Sequence, residues 1–421
     1  MEGTRMKPSA KGESLYKYIG EFALAIQSED GSRLAQLVSM ALSETLYTRA
    51  NYEEPQESEL RRLKPNWREV VKAYLHVTKV ALKENDLKKV VFSQTELLTH
   101  LSRCAERESN WVLPALLLVT RQVSFLYSAY EGQKSKEALA EEEELAVLEK
   151  VVEAVNRPFK ICLSDKSDLR FSKKSAVYFF AGQLFKYYRT MKKYELSKSI
   201  EKALAASATE LPSITAIPKK SAVIYLYYSG CLACIDNDFE KANDRLSQAL
   251  LLCHKDSFKQ KQSILVTLIP VRFIVTRQLP SKACLTSLSD LGLAYSDIFR
   301  AVKLGDLALF DSQFQRLQSL LLKKNLYYVF LKMRMYVVAK LVKVVCSAMT
   351  GKFQISVASL SCALEYSGKQ PEGSFSADYT ESIVANLISQ GLVKGYLSHG
   401  NRVLVLSKKE PFPVQVLAEK Q

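Results

Sequence analysis

The chain has 421 residues, enough for two or three domains or for one extended helical array with a cap. Apolar residues at 48% allow a full core, while 59 Lys and Arg against 44 Asp and Glu leave a formal charge of +15. A surplus of that size favours an anionic partner, whether nucleic acid, acidic protein or membrane surface, and does not choose among them.

Residues 1–13 are polar and hold no apolar signal-peptide core, and the longest apolar run, Trp111 to Val119, is too short to cross a bilayer. A soluble, intracellular chain without membrane contact is expected. The first 55 residues predict one or two amphipathic helices, with Tyr16, Ile19, Phe22, Ala23 and Ile26 on one face. A polar break at Asn51 to Lys64 precedes Pro65, which opens a helix through Trp67, Val70, Val71, Tyr74 and Val77. The glutamates of the run Lys134 to Glu144 suit a solvated loop and a first helical turn, where the helix dipole favours negative charge. Glu210 to Lys220, with Pro212 and Pro218, is a loop.

Between these joints runs a degenerate repeat. Ala176 to Leu204 reads as a helix, a joint at Met191 to Lys193 and a second helix; Ile224 to Leu252 repeats this with a joint at Asp236 to Asp238; Tyr295 to Leu317 does so around Gly305 and Asp306. A small residue, a short turn, an aromatic and apolar positions four apart form the pattern of tetratricopeptide-like helix pairs. One such pair cannot bury its own apolar face, so the pairs must stack as a solenoid.

From Tyr327 the pattern becomes helix, helix, helix, hairpin, a winged helix. Phe330, Val337, Leu341, Val344 and Ala348 form the buried stripe of the first helix, with Lys332, Tyr336, Lys340 and Lys343 opposite. The second helix, Val357 to Tyr366, is entered through Ser356 and left through Gly368; the third carries a capping box at Asp378 and Glu381 and ends at Gly391. Val393 to Ser398 and Val403 to Ser407 flank a turn at His399, Gly400 and Asn401. The expected organisation is a helical region over 1–105, the repeats over 106–326, the winged helix over 327–413 and a tail over 414–421.

The outward side of the third helix, Ser382, Asn386, Ser389 and Gln390, has no Arg to read guanine, so base-specific recognition is not expected. Lys332, Lys340, Lys343, Lys394, Arg402, Lys408 and Lys409 surround it, either as a phosphate-contacting set for RNA or DNA or as an ordinary solvated face. Val403 to Leu406 is apolar on both faces and suits a strand covered on each side, with Val403 and Val405 as partner contacts. Arg334, on the apolar side of its helix, needs a carboxylate or an interface. No hydrolase, kinase or nucleotide fingerprint is present, and the four histidines have no nucleophile or carboxylate paired nearby in sequence. Cys231 and Cys234 would need a second ligand pair to hold a metal, and the adjacent Cys253 and His254 supply a poor one. Neither an enzyme nor a metal, cofactor or small-molecule site is expected.

The helical array with its winged helix, together with Asn110-Trp111-Val112-Leu113-Pro114, Gly305-Asp306-Leu307, Ala385-Asn386-Leu387-Ile388, Val393-Lys394-Gly395-Tyr396-Leu397-Ser398-His399 and Pro411-Phe412-Pro413, resembles the PCI-domain family. Within it, the strings look like those of subunits of the transcription-and-export complex at nuclear pores. That resemblance implies a non-enzymatic nuclear adaptor for messenger RNA export, near pores and partly cytoplasmic. It also implies a larger PCI scaffold as partner, and the small acidic protein shared with the proteasome lid. For the acidic partner, the basic helices around Lys255, Lys259, Lys261 and Arg272 are the expected site, with solvated surface as the other possibility. An architectural subunit of a proteasome-lid, signalosome or translation-initiation assembly, without nucleic-acid contact, is the second reading of the same fold.

Overall fold

The computed structural model describes residues 15–40, 60–83, 86–134, 141–168, 170–289, 291–349, 353–371 and 373–413. The expected polar break falls mostly outside these, as do residues 135–140 ahead of the sixth helix and the tail at 414–421. Apolar side chains recurring at helical spacing make the fold mainly α, stacked helix pairs ending in a winged helix. The chain divides into two compact units between Tyr225 and Leu226.

In the first unit, α1 (Leu15–Gln27) and α2 (Gly31–Leu37) precede the hairpin of α3 (Pro65–Lys83) and α4 (Leu87–Ala105). Then come α5 (Leu113–Lys134), α6 (Glu141–Leu163), α7 (Val177–Thr190), α8 (Tyr194–Ala206) and the start of α9 (Lys219–Ile235). Trp67 is the anchor: it is buried, stacks on Trp111 at 5.9 Å between centroids, and takes the edge of Phe22 at 6.0 Å. Gly31 is required here, because a Cβ would stand 1.7 Å from the Trp111 carbonyl oxygen. The stretch 110–133 is long and apolar enough to cross a membrane, which corrects the reading of the apolar run at Trp111 to Val119 as too short for it. Val112, Ala115, Leu116, Val119, Val123 and Tyr127 are buried inside the helical unit, and half of the apolar window is buried in all.

The turn after α6 is fastened by an ion pair. The Lys173 ammonium donates to the Glu108 carbonyl at 2.6 Å and lies 3.4 Å from Asp165, with only 5% and 6% of the two side chains exposed. Burial pushes the Asp165 carboxyl up, but the backbone N–H groups of Lys173 and Ser167 and the Lys173 charge outweigh it and hold the group at about 2.

In the second unit, α10 (Phe239–Leu252) packs on α11 (Phe258–Thr276), followed by α12 (Lys282–Thr286), α13 (Leu291–Leu304), α14 (Leu307–Lys324) and α15 (Tyr327–Ala348). The repeat joints fall where the pattern put them. Lys192, Asn237 and Gly305 adopt φ of 58°, 62° and 82° at equivalent points of the three joints. Asp238 and Asp306 cap the helices that follow by accepting from the N–H groups of Lys241 and Leu309. At Gly305 both factors operate, since a Cβ on this left-handed residue would meet the Leu341 nitrogen at 3.0 Å.

α15 departs from its predicted stripe. Tyr336, expected to face solvent, is 8% exposed, with its ring edge-on to Phe273 and the Arg277 guanidinium 4.6 Å above it; Val344, expected inside, is 44% exposed. The helix is packed by α11, α13, α14 and α16 (Val357–Gly368), so its buried sector is set by several neighbours and is wider than one stripe. Arg334 makes two parallel bonds to Asp311, at 2.8 and 2.9 Å, and so finds its carboxylate inside the chain; this bonding raises the guanidinium pKa.

Candidate functional site

The winged helix is built from α15, β1 (Gln354–Ser356), α16, α17 (Ala377–Ser389), β2 (Gly395–Ser398) and β3 (Val403–Leu406). Sequence reasoning missed β1, because three residues are too few to display a period of two. Ser356 caps α16 as expected, its hydroxyl accepting from the Ser359 N–H at 3.1 Å. Lys369, not Gly368, takes the left-handed position that closes the helix. The cap of α17 is Ser376, which accepts from the Tyr379 N–H, so the expected box of Asp378 and Glu381 does not form. Gly391 ends the helical segment with φ of 69°. A single hydroxyl bonds this module to the preceding joint: Ser367 donates to the Gly305 carbonyl at 2.7 Å and accepts from the Leu307 N–H at 3.0 Å.

The sheet is antiparallel in the order β1-β3-β2. β3 is therefore central, and both of its edges are taken by strands of the same chain. Ile355 and Leu404 pair on the inner face and are fully buried, with Leu406 beside them at 3%. The outer face aligns Gln354, Val405 and Tyr396 in one row and Ser356, Val403 and Ser398 in the next. Val403 and Val405 are half-buried, and Tyr396 is 63% exposed. Tyr396 was overlooked; the signal for it was the alternation Gly395, Tyr396, Leu397, Ser398 once the register is known.

The basic residues expected around this surface differ in their surroundings. Arg402, at the end of the wing turn with φ of 52°, donates to Asp378 at 2.5 Å and lies 3.3 Å from Glu381, while His399 Nδ1 sits 2.6 Å from the other oxygen of Glu381. The hydrogen bond from Arg402, and then its charge, hold the Asp378 carboxyl below the usual range. Lys394 pairs with Glu410 at 2.7 Å. Lys332 is half-buried with its ammonium 5.0 Å from the Phe239 ring centroid and 5.4 Å from that of Tyr328. Lys340 and Lys343 are half-buried on α15, and Lys408 and Lys409 are exposed after β3. The other expected contact set lies on and beside α11: Lys255 and Lys259 are exposed, Lys261 donates to the Lys255 carbonyl at 3.0 Å, and Arg272 donates to Ser247 at 2.8 Å. Cys231 and Cys234 are buried in α9.

A family model described as the PCI domain matches residues 306–408. A relative named "Protein CSN12 homolog" in Debaryomyces hansenii is 32% identical over 435 residues, covering 95% of this chain and 98% of the relative. The chain belongs to the CSN12 family of PCI-domain proteins. "COP9 signalosome complex subunit 12" of Eremothecium gossypii is 35% identical over 337 residues, covering 76% of this chain and 82% of the relative. "PCI domain-containing protein 2" of Danio rerio is 29% identical over 410 residues, with 95% and 98% covered.

CSN12 kinship corrects the finer assignment made from the sequence strings. The relatives named after the signalosome overturn the export complex, its larger PCI scaffold and small acidic subunit, the nuclear pore and RNA or DNA binding. The winged-helix strings that carried the resemblance lie on α17, on β2 and on the segments flanking the wing strands of a PCI module, and so identify the module better than the assembly that contains it. On this surface Arg402 and Lys394 are ion-paired with carboxylates of the chain itself.

Proposed function

We propose that the chain is an architectural, non-catalytic subunit of an assembly of the COP9 signalosome type, and that a neighbouring subunit docks on the outer face of the wing sheet. The observation that carries this is the kinship, over nearly the full length of both chains, to a relative named as a CSN12 homologue. Tyr396, Val403 and Val405 support the docking face. A half-covered apolar row with an exposed tyrosine offers large contact area with a polar tip, the composition favoured in interface cores. Lys340, Lys343, Lys408 and Lys409 would serve as rim charges that steer and orient a neighbour more than they bind it. Lys255 and Lys259, with Leu251 and Phe258 84% and 75% exposed near them in sequence, are a second contact to the same assembly. A distribution between nucleus and cytoplasm follows from such a role.

Affinity purification of the tagged full-length chain from its own cells, with mass spectrometry of what accompanies it, tests this. Signalosome subunits in near-stoichiometric amounts are the expected result. Recovery of proteasome-lid or initiation-factor subunits in their place, or of no stoichiometric protein, would overturn it.

A further inference from the structure

A groove of about 680 Å³ lies between α4 and α6, wholly within the first unit, and has no part in the docking face above. The two helices run in the same sense. Near one end the Lys150 ammonium stands 4.3 Å from the Phe92 ring centroid, and near the other Arg157 donates to Glu106 at 2.7 Å. Thr95 and Ala154 are buried in the lining, and the hydroxyls of Thr95 and Thr99 donate to carbonyls of their own helix. An apolar side chain can rest on such a floor without stranding a donor.

Charge divides the groove into two halves. Glu96 and Glu153 outnumber Lys150 in one, and Arg103, Arg157 and Lys160 outnumber Glu106 in the other. Arg103 and Lys160 are exposed, and among the described residues neither has a carboxylate partner. Arg157 keeps its Nε buried and without an acceptor even while its terminal nitrogen holds Glu106. His100 stands between the halves. Its burial, and then the charge of Arg103, lower its pKa, as expected beside a positive pole.

We propose that this groove takes a short extended peptide segment of a partner protein. An acidic side chain of that segment sits against Arg103 and Lys160, and a basic one against Glu96 and Glu153. The seven-residue step from Glu96 to Arg103 separates the poles by roughly 10 Å, about three residues of extended chain. The 14-residue span from Phe92 to Glu106 is roughly 21 Å, the reach of about six extended residues, and the volume lies in the range of formed ligand sites. The two poles fix its direction, because reversing the peptide brings like charges together.

The test is selection of a random hexapeptide library displayed on phage against the full-length protein, in parallel with the charge-reversed variant Arg103→Glu/Lys160→Glu. Both substituted side chains are solvent-exposed, so unchanged thermal melting verifies the fold. The wild type is expected to enrich peptides with Asp or Glu two to four positions from Lys or Arg in one direction, and the variant to lose that enrichment by roughly tenfold or more. A second variant, Glu96→Lys/Glu153→Lys, should shift selection at the basic position alone. Enrichment of the same sequences by all three proteins, or none above an empty support, would overturn the proposal.

Discussion

Tyr396 is the side chain on which the docking face can be tested most sharply. It is 63% exposed on the outer row of the wing sheet, opposite Val405. A tyrosine presents roughly 200 Å², so complete cover would remove roughly 130 Å² from water, which at about 25 cal/mol per Å² is about 3 kcal/mol, or roughly 200-fold in affinity. That is a ceiling, since a neighbour seldom covers a rim residue fully and the alanine of Tyr396→Ala keeps its Cβ. The folded chain gains little from a ring that points into solvent, so its own stability should change by no more than about 0.5 kcal/mol. The assay is quantitative mass spectrometry of subunits retained by the tagged variant expressed in place of the parent, with circular dichroism melting as the control. A large loss of retained subunits with an unaltered melt is expected. Retention within about twofold of the parent would refute the docking face, because even half of the computed area should exceed that change.

Three further outcomes follow from the geometry. Asp165 titrates at about 2 in the folded chain against an ordinary 3.8, so it stabilises the fold above pH 4 by about 2 kcal/mol, and this is lost as the pH falls towards 2. Urea unfolding at pH 6 and pH 3 should show a smaller acid loss for Asp165→Asn than for the parent. Gly305→Ala should cost about 1–3 kcal/mol, because the left-handed backbone and the Leu341 nitrogen at 3.0 Å both oppose a side chain; denaturant midpoints measure it. Asp311→Asn removes the partner of Arg334 in a pair that is 28% and 37% exposed, and should cost about 1 kcal/mol, less at high salt; melting at 0.05 and 0.5 M salt would show whether the effect is electrostatic.

Local sequence determined a good deal of this protein by itself. The repeat joints at 191–193, 236–238 and around Gly305, the opening of α3 at Pro65, the Ser356 cap and the positive φ of Gly391 are where the pattern put them, because each depends on residues within a turn of one another. Tertiary structure alone decided the rest. β1 exists because β3 offers it an edge about fifty residues later, and Tyr336 is buried because several helices enclose α15. Arg402 and Lys394 pair with carboxylates 24 and 16 residues away in sequence. Whether a charge is free or neutralised depends on what the fold brings within about 4 Å of it, and no periodicity in the chain records that distance.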